Sequence, residues 1–234
     1  MCFSAPVSFV AGAALTGIGV VTLKQVKQRT EIPYALIPLI FAVQQIIEGF
    51  VWLSFGSSWM NAVGTYAFAF FAFAFWPMWL PFSLMLLEKN EIRRKILVFF
   101  FGIGLVVGLS QLYLIATEHV TSHIAFNSIV YTVPDAFWPL MWILYLMATC
   151  MSCAFSSHRW VKVFGLALFV SLLAAYRFYT VSCFSVWCFF AAILSFIVFL
   201  YFYFEYPSKT AKKIATTAKK IHKAAVKLKP KKKA

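Results

Sequence analysis

One acidic residue with two amides beside it is the clearest chemical feature of the sequence. Glu48 lies within an apolar run over 32–55, and Gln44 and Gln45 precede it by four and three residues. Residues three or four apart lie on one face of a helix, so the three polar groups share a face. An ionisable residue inside a membrane helix is costly and marks a functional site by default. Two interpretations stay open: polar packing against another helix, or a ligand-binding site.

A second polar cluster lies in the stretch 117–135, where His119 and His123 are four residues apart. In a helix this spacing points two imidazoles the same way. A metal site needs three or four ligands, so two histidines do not complete one. The missing ligands would come from Glu48, Glu118, Asp135 or Cys2. Solvated loop histidines and a metal site that combines His119, His123 and Glu48 both remain open.

The cysteines do not indicate a disulfide framework, because such frameworks belong to small secreted domains. Cys150 and Cys153 form a CxxC within an apolar run, where packing is expected, since a redox pair normally opens a helix that stabilises its thiolate. A disulfide between Cys2 and Cys183 is possible only if the two residues lie within about 7 Å of each other.

The composition excludes a water-soluble fold. The chain is 62% hydrophobic and only 12% charged, with a mean hydropathy of +0.83, whereas soluble domains are about 45–50% apolar and about 25% charged. Of its 21 Lys and Arg residues, 11 follow Tyr206. The chain therefore divides into a membrane domain over 1–206 and a basic Lys/Ala-rich tail over 207–234.

Seven apolar runs approach the roughly 20 residues that a membrane-crossing helix needs. They cover 6–23, 32–55, 60–87, 96–116, 137–155, 161–176 and 181–203. Spans six and seven are separated by a tight connection, so a single re-entrant unit is the alternative for that pair. The prediction is an all-α polytopic membrane bundle of seven transmembrane helices.

Several residues carry finer predictions about these helices. Ser4 and Pro6 suit the cap and the first turn of span one. Ala13 and Gly17 form a small-xxx-small ridge that favours close helix approach. Pro77 and Pro81 are expected to kink or end the third helix.

Along the chain, connections rich in Lys and Arg alternate with connections that have almost none. In membrane proteins the cytoplasmic loops carry the excess of Lys and Arg. One side receives the whole tail and these loop residues: Lys24, Lys27, Arg29, Lys89, Arg93, Arg94, Lys95, Arg159 and Lys162. The other side receives Arg177 alone. This places the N-terminus outside and the C-terminus in the cytoplasm. We expect the protein to lie in the plasma (inner) membrane. Glu48 then lies about 24 Å along its helix, in the outer half.

The tail predicts a basic amphipathic helix that ends at Pro230. We expect it to contact the bilayer through anionic lipid headgroups, at about 1 kcal/mol per cation near the surface. Nucleic acid is the less favoured polyanion, and the terminal Lys231-Lys232-Lys233 also fits a dilysine retrieval signal in a eukaryotic host. The sequence leaves the oligomeric state open.

Four segments of the membrane domain resemble an uncharacterised family of multi-pass membrane proteins whose members begin Met-Cys-Phe-Ser-Ala. They are Met1 to Ala5, Gln44-Gln45-x-x-Glu48-Gly49 with Val51-Trp52, His123-Ile124, and the run from Ser185 to Ala192. The resemblance brings no assigned activity or cofactor. It singles out Cys2, Ser4, Gln45, Glu48, His123, Trp187 and Cys188.

On the predicted topology these residues gather at one level, which predicts a ligand-binding pocket open to the outer face. The first hypothesis is therefore a membrane protein that binds or senses a small ligand or ion. A membrane-embedded metal-dependent hydrolase, with Glu48 as base, is one alternative. A small-solute transporter is the other, although the sequence shows no clear repeat between its halves.

Overall fold

The computed structural model describes residues 4–125, 127–133 and 138–205. Helices form most of this part of the chain. They are α1 (Ala5–Gln25), α2 (Ile32–Ala35), α3 (Ile37–Ser54), α4 (Ser58–Ala69), α5 (Trp76–Leu87), α6 (Glu91–Thr117), α7 (Trp138–Leu146), α8 (Ser152–Ala154), α9 (Arg159–Phe178), α10 (Cys183–Leu194) and α11 (Phe196–Glu205). A 3₁₀ turn, Arg29–Glu31, precedes α2, and π-helical turns at Phe70–Phe75 and Met147–Met151 join α4 to α5 and α7 to α8.

Six helices of the described residues are long and apolar enough to cross a membrane. Their bounds are Ala5–Gln25, Arg29–Ser54, Ser58–Leu87, Glu91–Thr117, Arg159–Phe178 and Cys183–Glu205. A seventh apolar helix, Pro139–Ala154, is shorter. The helical bundle predicted from the apolar runs is confirmed, and the helix ends fall within a few residues of the runs. The tail over 207–234 lies outside the described residues.

The third long helix does not end at its prolines. Pro77 lies in the first turn of α5, directly after the π-helical turn, and the helix continues past Pro81 to Leu87. Pro81 has no N–H to offer the carbonyl oxygen of Pro77, four residues earlier. Gly104 of α6 packs on that oxygen so closely that a Cβ at Gly104 would overlap it. The prediction was that these prolines kink or end the helix; they do not end it, and the π-helical turn interrupts the regular α-helix directly before α5.

The close approach of α1 to its neighbour uses other small residues than predicted. Ala13 and Gly17 lie on the exposed face of α1, whereas Gly12 and Gly19 face α3. A Cβ at Gly12 would come within 3.2 Å of the Ala42 carbonyl oxygen. The prediction chose the wrong face, because small residues occur on both sides of this helix and the sequence does not show which one meets a neighbour.

A two-stranded antiparallel hairpin, β1 (Thr121–Ala125) and β2 (Ser128–Thr132), departs from the all-α prediction. Asn127 in the connection has a φ of 56°, a left-handed conformation that Asn adopts more readily than most residues. Each strand of the hairpin is held to the helices by a side-chain hydrogen bond. Thr65 of α4 shares a 2.7 Å hydrogen bond with Ser122, and Ser128 donates to Ser182, just before α10, at 2.7 Å.

Three connections meet at the end of the bundle away from the hairpin. Arg93 donates to the carbonyl oxygens of Phe155 and Ser156 at 3.1 and 3.2 Å. Trp79 donates to the Pro33 carbonyl oxygen at 3.1 Å. This "cationic end" carries the loop cations of the described chain: Lys24, Lys27, Arg29, Lys89, Arg93, Arg94, Lys95, Arg159 and Lys162. Arg177 lies at the opposite, hairpin end.

Candidate functional site

Glu48 is fully buried and joins two helices. Its Oε1 accepts a 2.7 Å hydrogen bond from the Ser185 hydroxyl of α10, and its Oε2 accepts a 3.3 Å bond from the Gln45 amide. Glu48 and Ser185 each have a further interaction besides these bonds. The predicted pairing of Glu48 with a neighbouring glutamine is present, and Ser185 supplies the contact from a second helix.

Gln44 fixes the other side of this polar cluster. Its Oε1 accepts a 2.7 Å hydrogen bond from the indole N–H of Trp76. Trp76 follows the π-helical turn directly and stacks on Phe41 with ring centroids 3.9 Å apart. The two glutamines therefore have different partners, although they are adjacent on α3.

Three buried polar atoms of Ser8, Gln44 and Gln45, in α1 and α3, have no hydrogen-bond partner among the described residues. They are Gln44 Nε2, Gln45 Oε1 and Ser8 Oγ. The Gln44 amide comes close to the Cys188 thiol, but without the geometry of an ordinary hydrogen bond. Leaving a buried donor or acceptor unsatisfied costs about 1–3 kcal/mol, so each of these atoms can bond to a water molecule, an ion or a ligand.

The antiparallel packing of α1 on α3 places Ser8 at the level of Glu48. Gly19 contacts Leu39 and Gly12 contacts Ile46, whereas a Cβ at Gly49 would lie 2.8 Å from the Phe9 ring. Residue numbers along α1 therefore decrease as those along α3 increase. This places Ser8 at the level of the helical turn that contains Glu48. Three helices, α1, α3 and α10, thus supply oxygen atoms at one level.

The remaining residues singled out by the resemblance occupy different positions. Cys188 is buried near Gln44 and belongs to the cluster. Trp187 is also buried, but its indole donates to the Leu168 carbonyl oxygen at 3.0 Å and ties α10 to α9. Ser4 is the N-cap residue of α1, as predicted, although its side chain makes no capping bond. Cys2 lies outside the described residues.

The two histidines do not form the helical pair considered from their spacing. His123 is in β1, whereas His119 lies in the irregular segment before it, and both side chains are exposed. The polar, β-branched segment forms a hairpin in place of a helix, so a spacing of four has no helical meaning here. Within residues 4–125, 127–133 and 138–205, no three His, Cys, Asp or Glu side chains are grouped closely enough to hold a metal ion.

Two cavities flank α10. The larger, of about 490 Å³, lies among α6, α7, α9, α10 and β2. The smaller, of about 30 Å³, lies beside Trp76 and Cys188, and this is room for about one water molecule. Cys183 borders the larger cavity as a free thiol.

The CxxC of the fifth apolar run is buried. The Cys153 thiol donates to the Thr149 carbonyl oxygen at 3.3 Å, and a Cβ at Gly165 of α9 would meet Cys150 O at 3.0 Å. Cys150 and Cys153 are both free thiols. These contacts describe a tight helix junction, in agreement with the packing interpretation.

Sequence reasoning missed the residues that complete the cluster. Ser8, Trp76 and Ser185 are common residue types in apolar runs, and no spacing links them to Glu48. The π-helical turns were also missed. One side-chain bond links the two segments: the Tyr145 hydroxyl, two residues before the second turn, donates to the Ala72 carbonyl oxygen in the first turn at 2.7 Å. Such turns recur at functional sites.

The described residues form a helical bundle in which six helices are long and apolar enough to span a membrane. The chain belongs to DUF6629, a family of unknown function, whose family model matches residues 1–213. This match covers all the residues that the structure describes. No curated protein and no solved structure matches the chain.

Proposed function

We propose that this chain is a seven-span membrane protein that binds a small cation at the Glu48 cluster, in the outer half of the bilayer. The observation that carries the proposal is a fully buried carboxyl group with two buried acceptor oxygens at its level of the bundle, Gln45 Oε1 on the same helix and Ser8 Oγ on α1, that have no partner in the described chain. Carbonyl, hydroxyl and carboxylate oxygens are the ligands that hard cations prefer.

The size of the site favours a small ion over an organic ligand. Gln44, Gln45 and Glu48 are all fully buried, and none of them lines either of the two cavities beside α10. A single carboxylate with neutral oxygens around it suits a monovalent ion such as Na⁺, K⁺ or ammonium. A drug-sized ligand would need about 300 Å³ or more.

The seventh span of the proposal is the helix from α7 to α8. It begins near the hairpin end, since β2 leads into it, and it ends at Phe155, whose carbonyl oxygen accepts from Arg93 at the cationic end. A helix that connects the two ends must cross the same thickness as its neighbours. With seven crossings, the N-terminus lies outside and the basic tail in the cytoplasm.

The charge distribution supports this orientation and a plasma (inner) membrane location. The cationic end gathers the Lys and Arg of three loops, which corresponds to the cytoplasmic side. Glu48 is six residues before the end of α3 at Ser54, about 9 Å along the helix. Because that end of α3 adjoins the hairpin side, the cluster falls in the outer half.

Cation binding is better supported than a metal-dependent hydrolase or a transporter activity. A metal-dependent hydrolase would need His119 and His123 near Glu48, yet both histidines are exposed and Glu48 is buried. A transporter would need a route to both faces. The fully buried cluster offers one enclosed site, which fits a protein that holds or senses an ion.

Thermal unfolding of the purified chain tests the cation site. At constant pH and ionic strength, NaCl, KCl or NH₄Cl is compared with choline chloride, whose cation is too large for the site. An ion at 100 times its Kd stabilises a protein by about 2.7 kcal/mol, a rise in Tm of about 5–10 °C for a chain of this size. We expect this rise with at least one small cation and its loss in Glu48→Gln.

Two further variants make the experiment decisive. Glu118→Gln removes an exposed carboxylate and should keep the full response. Ser8→Ala removes a buried hydroxyl without a partner, so the fold is retained even if Glu48→Gln unfolds, and the cation concentration at half effect should rise about 3–10-fold. The proposal is wrong if no small cation differs from choline, or if Ser8→Ala and Glu48→Gln both respond like the unmodified chain.

A further inference from the structure

The larger cavity has the lining of a site for a hydrocarbon chain. Its volume is about 490 Å³, within the range of about 300–1,000 Å³ typical of ligand pockets. Aromatic and aliphatic side chains form most of the wall, among them Phe73, Met141, Trp142, Leu172 and Phe184. Trp142 stacks on Phe184 with ring centroids 4.2 Å apart, which makes this wall continuous.

Among the polar side chains that line this cavity, Gln111 is the one amide. Gln111 of α6 borders the cavity and is only 6% exposed, and its amide makes no hydrogen bond to any other described residue. An amide in such a position needs a partner from the cavity itself. Gln111 lies six residues before the end of α6 at Thr117, about 9 Å below the hairpin end.

The cavity borders the outer surface of the bundle. Leu173, Tyr176 and Val181 line it and are 53, 62 and 62% exposed. In a membrane this surface faces lipid. A molecule can therefore enter between α9 and α10 from the bilayer, without passing through water.

A single cation stands above this entrance. Arg177 follows Tyr176 in the last turn of α9, and it is the only Lys or Arg at the hairpin end of the described chain. Its guanidinium lies 5.8 Å from the Phe178 ring centroid and is exposed. A guanidinium at the membrane surface attracts lipid phosphate, which it can bind through two N–H groups.

We propose that the cavity holds one acyl chain of an anionic phospholipid from the surrounding bilayer. The chain fills the apolar space, Gln111 donates to an ester carbonyl oxygen, and Arg177 binds the phosphate. The order along the membrane normal agrees with a phospholipid: the charged group at the surface, the hydrogen-bonding group one to two helical turns deeper, and the hydrocarbon beyond it. This site is separate from the Glu48 cluster, because Phe184 faces the cavity whereas the adjacent Ser185 faces Glu48.

Native mass spectrometry of the delipidated full chain tests the proposal. Phosphatidylglycerol and phosphatidylcholine with identical acyl chains are added separately at equal concentration. We expect one tightly bound phosphatidylglycerol per chain, with an affinity about 10-fold above that of phosphatidylcholine. Arg177→Gln should bring this ratio close to one, whereas Arg159→Gln, at the cationic end, should leave it unchanged.

A second variant separates the cavity from general attraction to charge. Gln111→Leu keeps the apolar wall and Arg177, so it should weaken both lipids about 2–10-fold while the preference for phosphatidylglycerol remains. Glu48→Gln should bind lipid like the unmodified chain, so the two proposals fail or succeed independently. The lipid proposal is overturned if neither Arg177→Gln nor Gln111→Leu changes binding, or if sodium palmitate binds one per chain and phosphatidylglycerol does not.

Discussion

Glu88 and Glu48 are both buried carboxyl groups, but their surroundings give them different roles. Glu88 follows α5 at the cationic end and accepts hydrogen bonds from the backbone N–H groups of Ser157 and Asn90 at 2.6 and 3.0 Å, and from the Ser157 hydroxyl at 2.7 Å. Glu88 thus has its acceptors filled by protein donors. At the level of Glu48, by contrast, Gln45 Oε1 and Ser8 Oγ have no hydrogen-bond partner among the described residues.

The contacts of Glu88 predict an acid-dependent stability. Burial by itself would raise the pKa of Glu88, but the hydrogen bonds from Ser157 and Asn90, with the nearby His158, outweigh it and lower the pKa below the ordinary value. A carboxyl group with a lower pKa in the folded state stabilises the fold above the pKa of the unfolded chain, about 4.3. This contribution disappears as the pH falls through the folded-state value.

We therefore expect Glu88→Gln to reduce the free energy of unfolding by about 1–3 kcal/mol at pH 7, and by much less at pH 3. The measurement is chemical unfolding in mixed micelles between pH 3 and pH 7. Glu91→Gln, which changes an exposed carboxylate nearby, serves as the control. A constant difference between Glu88→Gln and the unmodified chain across this pH range would contradict the role of Glu88.

At the scale of helices, the contact between α5 and α6 depends on the absence of side chains. A Cβ at Gly104 would overlap the Pro77 carbonyl oxygen, and one at Gly108 would lie 2.6 Å from the Ala74 carbonyl oxygen. Small residues four apart let membrane helices approach closely. Here they meet a backbone whose hydrogen bonding is already altered by the π-helical turn and by Pro81.

The pair Gly104 and Gly102 offers a matched test of this contact. Gly104→Ala should destabilise the protein by about 1–3 kcal/mol, because the helices must separate. Gly102→Ala, where a Cβ meets nothing within 4 Å, should be neutral or stabilising by up to about 1 kcal/mol. Thermal unfolding of both variants checks this. Equal effects of the two substitutions would show that the close packing has no energetic importance.

For the whole molecule, the separation of charge between the two ends predicts the topology. A reporter active only outside the cytoplasm should be inactive after Ala234 and active when inserted at Asn127. A reporter inserted at Ser157 should be inactive, because the helix Pro139–Ala154 lies between it and the hairpin. If the reporters at Asn127 and Ser157 showed the same side, this helix would not cross and the seven-span arrangement would be wrong.

The sequence predicted the helices well and their contacts poorly, for a physical reason. Apolar length and loop charge are properties of single segments, so the runs and the cationic end could be derived from them. The partner of Glu48 depends on which face of α10 meets α3, and nothing in the spacing of Ser185 specifies it. Ala13 and Gly17 illustrate the same limit, since a small-residue pattern does not identify its neighbour. The hairpin was missed because ten residues between apolar helices carry only a weak strand pattern.

The short connection between α5 and α6 has a consequence for biogenesis. Only residues 88–90 separate the two helices, and Gly104 seats directly on Pro77. Two helices joined by such a short loop lose little chain entropy when they pack against each other. As the nascent polypeptide leaves the ribosome, this helical hairpin can form before the C-terminal helices have been synthesised, and it then offers a ready-made surface on which the later segments assemble.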